Sequence, residues 1–189
     1  PGARSGHLGE DGVSIAPTSD EKETVNAMLP KTILVPTDFG EVSDAAIDLA
    51  IDYARAFGGE VVLLHAYDMP IIGFPDGALV ATADIATRIL ESAQMGLERQ
   101  ITSRDNRGVT VRGILKQGET YEMINEAAEE LGAGLIVMGT HGRRGIARAL
   151  IGSVTEKIVR TAKVPVMTVH VGDAAHVATA VAAAAPASS

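Results

Sequence analysis

Along the chain, short apolar runs alternate with stretches of helical period, and this alternation restricts the fold more than any other feature. Thr32 to Pro36 (TILVP) is an apolar run suited to a buried strand. Val42, Ala45, Ala46, Leu49, Ala50, Tyr53, Ala54 and Phe57 then recur at helical spacing, and Gly58-Gly59 stops them. Glu60 to Ala66 is the next strand, followed by a Pro- and Gly-containing loop from Asp68 to about Ala81. Ile85, Ile89, Ala93, Leu97 and Ile101 mark a long helix, and Val109 to Leu115 a third strand. Tyr121, Ile124, Ala128 and Leu131 mark a helix closed by Gly132, and Leu135 to Met138 a fourth strand. Ile151, Val154, Ile158 and Ala162 mark the last helix, and Pro165 to Val171 the last strand.

Strands that are apolar without interruption have both faces covered, and helices between them supply the cover. The pattern therefore predicts an α/β fold: one doubly wound, Rossmann-like parallel sheet of five strands with helices on both faces. Aromatic residues make up only 3% of the chain, so Ala, Val, Ile and Leu must form the core. Residues 1–30 and the Ala-rich residues 172–189 lack a hydrophobic period and are expected to be flexible tails around a 31–171 domain.

Doubly wound sheets bind ligands beyond the carboxyl ends of their strands, where the strand order reverses. If the first and fourth strands are neighbours there, PTDFG (residues 36–40) faces GTHGRRG (residues 139–145). Gly139, Gly142, Gly145 and Gly152 let the backbone approach a ligand, and successive N–H groups in such a loop form an anion nest. Gly152-Ser153 opens a helix, whose first N–H groups attract anions, and Ser153 and Thr155 add hydroxyls. Arg143 and Arg144 add charge. The combination suits a phosphate group. Taken singly, each glycine also fits a plain turn and Ser153 a plain helix cap. The spacing matches neither G-x-G-x-x-G after the first strand nor G-x-x-x-x-G-K-[ST].

Gly139-x-x-Gly142, nine residues, then Gly152-Ser153 resembles the ATP-binding motif G-2x-G-9x-G-[S/T] of the universal stress protein family. KTILVPTDFGEVSDAAIDLA, LIVMGTHG and GSVTEKIVRTAKVPVMTV resemble that family's first strand and loop, fourth strand, and final helix and strand. The resemblance implies strand order 3-2-1-4-5. It implies that Asp38 binds the adenine or ribose end of ATP, with Pro36 and Thr37 beside it, and that Ala66 and Met138 lie at the base. Gly139, His141, Gly142, Arg143, Gly152, Ser153, Val154 and Thr155 would surround ribose and phosphates. Mg²⁺ or Mn²⁺ would be held through the phosphates, and Pro165 to His170 would pair with a second subunit as a homodimer.

The expected function is ATP-dependent regulation in a stress response, with nucleotide state tuning dimerisation or partner contact. Slow ATP hydrolysis, or binding of AMP or a cyclic nucleotide, is the alternative. No residue is assigned a catalytic role. His141 lacks a nearby carboxylate to orient it, and His65 and His170 lack metal-ligand spacing and read as packed or edge residues. Asp38 also suits a helix cap. The 69–81 loop exposes apolar residues and suits a lid or a partner surface. A net charge of −8 argues against nucleic acid and anionic membrane as partners. The absence of Cys excludes thiolate chemistry, and no secretory signal or membrane span is visible, which suggests a cytoplasmic protein.

Overall fold

A computed structural model describes residues 30–69, 83–140 and 152–170. Five strands and four helices alternate: β1 (Thr32–Pro36), α1 (Glu41–Phe57), β2 (Glu60–Tyr67), α2 (Ala83–Thr102), β3 (Val111–Gln117), α3 (Thr120–Glu130), β4 (Leu135–Gly139), α4 (Ser153–Thr161) and β5 (Val166–Val169). All pairings are parallel and the order is β3-β2-β1-β4-β5. The α/β class and the strand order match the sequence-based expectation.

Strand side chains alternate between the faces, so each apolar run feeds two cores. Ile33, Val35, Val61, Leu63 and Val137 pack with Ala46, Ile47, Ala50 and Ile51 of α1 and Leu97 of α2. Leu34, Val62, Leu64, Ile136 and Met138 pack with Ile124 and Ala127 of α3 and Ile158 of α4. Helix α1 ends where Gly58 turns left-handed at φ 69°, and its N–H donates to the Ala54 carbonyl.

Four strands differ from the expectation, and of these β2 and β4 each run one residue further, to Tyr67 and Gly139. The third strand runs Val111–Gln117 rather than Val109–Leu115. Arg107 and Gly108 take positive φ values, and Val109 N–H closes that turn on the Asn106 carbonyl, so Val109 belongs to the turn. The far end is longer because β2 continues to Tyr67 and carries Lys116 and Gln117 with it in register. The last strand is shorter, Val166–Val169, although the Pro165 carbonyl still accepts from Ile136 N–H. Both expected tails, apart from Pro30, and most of the 69–81 loop lie outside the described residues.

Candidate functional site

The reversal of strand order falls between β1 and β4. Strand β1 stays paired to β2 through Pro36, but its ladder to β4 ends at Leu34 and Ile136. Beyond that point β1 feeds α1 on one face and β4 feeds α4 on the other, as their separate core clusters show. A crevice at the carboxyl end of the sheet follows from this divergence. The two loops singled out in the sequence, after β1 and after β4, leave from its two sides.

The loop after β1 is a tight polar turn. Thr37 is buried, and its N–H donates to the Leu64 carbonyl at 2.8 Å. His65 Nδ1 lies 2.8 Å from the Thr37 carbonyl, and because a carbonyl only accepts, Nδ1 carries the proton. Phe39 adopts φ 64°, and its N–H donates to Thr37 Oγ1 at 3.0 Å. Its ring stacks on His65 with centroids 4.2 Å apart. Asp38 Oδ1 accepts from Gly40 N–H at 3.1 Å and from Ser43 Oγ at 2.6 Å. The carboxylate thus joins the turn to the first turn of α1 without capping the helix, whose N-cap is Gly40 and has no side-chain cap hydrogen bond.

The loop after β4 is pinned at both of its described ends. Thr140 is buried, and its N–H donates to the Val169 carbonyl at 3.0 Å. Gly152 N–H donates to the Thr140 carbonyl at 2.7 Å, which returns the chain to the end of β4 just as α4 begins. Thr155 Oγ1 donates to the Gly139 carbonyl at 2.9 Å. Its proton therefore fastens α4 to β4. Among the described residues no side chain caps α4, whose N-cap is Gly152, and Ser153 at the first position is exposed. The first N–H groups of a helix have no partner within it, so an uncapped start presents donors and the positive end of the helix dipole.

Pro36, Thr37, Asp38, Met138, Gly139, Gly152, Ser153, Val154 and Thr155 are thus gathered around the switch point by the ends of β1 and β4 and the start of α4. Ala66 alternates with Val62 and Leu64, so it lies on the α3 and α4 side of the sheet with Met138. His141, Gly142, Arg143, Arg144 and Gly145 lie outside the described residues. A cavity of about 410 Å³ occupies the opposite, α1 and α2 side, lined by Asp38, Phe39, His65, Ile85, Arg88 and Ser92 among others. Among the described residues, no group of three or more His, Cys, Asp or Glu could hold a metal. Among the described residues, no helix is long and apolar enough to cross a membrane.

Two residues of this region escaped the sequence reading. Ser43 meets Asp38 across the first turn of α1. Gln100 of α2 meets Thr37. The available signal for Gln100 was a polar residue on the helix face that Ala93 and Leu97 bury.

Residues 30–170 match the model of the universal stress protein family. The universal stress protein MJ0531 of Methanocaldococcus jannaschii is 34% identical over 143 residues, which cover 75% of this chain and 82% of that protein. The solved structure of MJ0577, a universal stress protein of the same organism, superposes with a TM-score of 0.62 at 27% identity, covering 75% of this chain and 96% of that one. A structure described as a universal stress protein in complex with cAMP superposes with a TM-score of 0.54 at 25% identity, covering 75% of this chain and 98% of the other.

Proposed function

The chain belongs to the universal stress protein family, and on that premise we propose that it is a regulatory protein that binds ATP at the switch-point crevice. The observation that carries this reading is the junction of β4 and α4. The uncapped start of α4 is held at the end of β4 by Gly152 and Thr155, beside the point where the β1–β4 ladder opens. A polyanion is the ligand such a start attracts.

In this reading adenine lies on the α3 and α4 side against Ala66 and Met138. Asp38, with Pro36 and Thr37, meets the adenine or ribose end. Gly139, His141, Gly142, Arg143, Gly152, Ser153 and Val154 surround ribose and phosphates, and Thr155 keeps the helix start in place. A Mg²⁺ or Mn²⁺ ion would be held by phosphate oxygens, in keeping with the lack of an acidic cluster among the described residues. Nucleotide state would tune a homodimer built on β5, or contact with another protein, in a stress response in the cytoplasm. A cyclic nucleotide or AMP is the second reading, favoured by the likeness to a universal stress protein in complex with cAMP.

The test is to denature the purified protein, separate the supernatant by anion exchange and identify released nucleotide by mass spectrometry. ATP from the wild type and none from Gly142→Val is the expected result. AMP or a cyclic nucleotide instead would establish the second reading. No released nucleotide and no binding of added ATP with Mg²⁺ would overturn both.

A further inference from the structure

A buried amide costs stability unless its donors and acceptor are matched. Gln100 is only 6% exposed on α2, and its partners are unusually specific. Its Oε1 accepts from Thr37 Oγ1 at 2.8 Å, and its Nε2 donates to Asp44 Oδ1 of α1 at 3.0 Å. A carboxylate accepts only, so the amide has one orientation. Asp44 is itself held by Arg104, whose guanidinium donates to Asp44 Oδ1 at 2.5 Å, to Asp48 Oδ1 at 2.8 Å and to the Gln100 carbonyl at 2.7 Å. Both ends of the Gln100 side chain are thereby fixed.

The consequence reaches the turn after β1. With its proton given to Gln100, Thr37 Oγ1 accepts from Phe39 N–H, the bond that accompanies the left-handed Phe39 backbone. Every polar group of Thr37 is engaged: N–H by Leu64, carbonyl by His65, hydroxyl by Gln100 and Phe39. The Asp38 peptide hangs between these anchors. We propose that Gln100, on a helix far in sequence from the loop between β4 and α4, is a positioning residue that sets the Thr37–Asp38 turn for nucleotide. The inference rests on the nucleotide reading above and adds to it a determinant of affinity on the opposite side of the sheet from Ala66. Donation converges on the Asp44 carboxylate, from Phe39 through Thr37 and Gln100 on one side and from Arg104 on the other.

The experiment compares wild type, Gln100→Leu and Gln100→Glu by calorimetric titration with Mg²⁺-ATP, and by hydrogen exchange of residues 37–40. Leu fits the apolar face of α2 and leaves Asp44 paired to Arg104. Gln100→Leu is expected to bind about tenfold more weakly, with faster exchange at Phe39 and Gly40 and unchanged exchange in β2. In Gln100→Glu two carboxylates meet, which raises the pKa of the pair. The other charged groups around them are Asp48 and Arg104, and His65 stands across Thr37. Affinity relative to wild type at the same pH should be low at pH 8. It should recover on acidification, as the protonated Glu donates to Asp44 and accepts from Thr37. A role confined to packing yields no such recovery. Gln100→Leu binding within twofold of wild type, or no recovery in Gln100→Glu, overturns the inference and leaves the nucleotide reading standing. A wild type that binds no nucleotide overturns the nucleotide reading itself and the inference with it. Should Gln100→Leu fail to fold, the pH series on Gln100→Glu and its exchange at residues 37–40 decide alone.

Discussion

Gly96 of α2 is where a single atom decides how the β1 turn sits. An added Cβ would fall 2.7 Å from Phe39 Cζ, inside any real contact. Ala in a helix is favoured over Gly by about 0.5–1 kcal/mol, whereas an overpacked methyl costs roughly 1–3 kcal/mol. The second effect should win, because the Phe39 ring is stacked on His65 and its backbone is tied to Thr37. Gly96→Ala is therefore expected to lose about 1 kcal/mol in urea unfolding. A gain in stability would show that the ring swings away freely. Residues at this scale were legible in proportion to how local their partners are. Asp38 bonds to residues two and five positions ahead, so a local role was readable although the helix cap is not what forms. His65 read only as a packed strand residue, because its partner Thr37 lies on the neighbouring strand's loop. Gln100 depends on partners more than fifty residues away, which no linear pattern shows.

Elements buried on both sides announced themselves, and edge elements did so less well. Strands β1, β2 and β4 read as apolar runs because two helical layers cover them. The edge strand β3 carries Arg112, Lys116 and Gln117, so its polar end resembled a loop. Lys116 has a specific task there. Its Nζ reaches Glu130 at 2.7 Å and Glu126 at 3.3 Å, fastening β3 to α3. The hydrogen bond to Glu130 is the main cause that holds the lysine above its ordinary pKa and the glutamate below its own. A carboxylate lowered on folding stabilises the fold above its unfolded pKa and ceases to as pH falls through the folded one. An amine raised on folding contributes below its unfolded pKa and ceases to as pH rises through the folded one. Thermal melts of wild type and Lys116→Met should differ in favour of wild type near neutrality. The difference should shrink as pH falls below 4.5, and again as it rises beyond 10.5. A difference that stays constant across both limits would assign it to packing of the lysine stem.

At the scale of the whole sheet, β5 is an edge strand among the described residues. The carbonyls of Pro165 and Val169 accept from Ile136 and Thr140, so by the alternation of a parallel ladder Val166 and Thr168 turn their backbone groups away from β4. If a homodimer forms there, Thr168→Pro removes an outward donor without touching the β4 ladder. Light scattering should then show a monomer with an unchanged circular dichroism spectrum; a persisting dimer would place the interface elsewhere. In the proposed reading, nucleotide would act at the same scale through mass action. At about a hundred times its dissociation constant, Mg²⁺-ATP adds about 2.7 kcal/mol of stability, a rise of roughly 5–10 °C in Tm for a domain of this size. An unchanged Tm at saturating ATP would count against the crevice. The class and the element order were legible because period is a local signal. The side of the sheet on which each residue stands required the fold.

The pairing of Ile33 with Leu135 also has a temporal meaning. During synthesis the centre of the sheet emerges first, and β2 soon covers one of its edges. The other edge of β1 waits until β4 has left the ribosome, so a growing chain carries an apolar strand with one flank bare. A chain halted after α3 would lack the β4 and α4 side of the crevice, which forms only when Gly152 closes back onto Thr140.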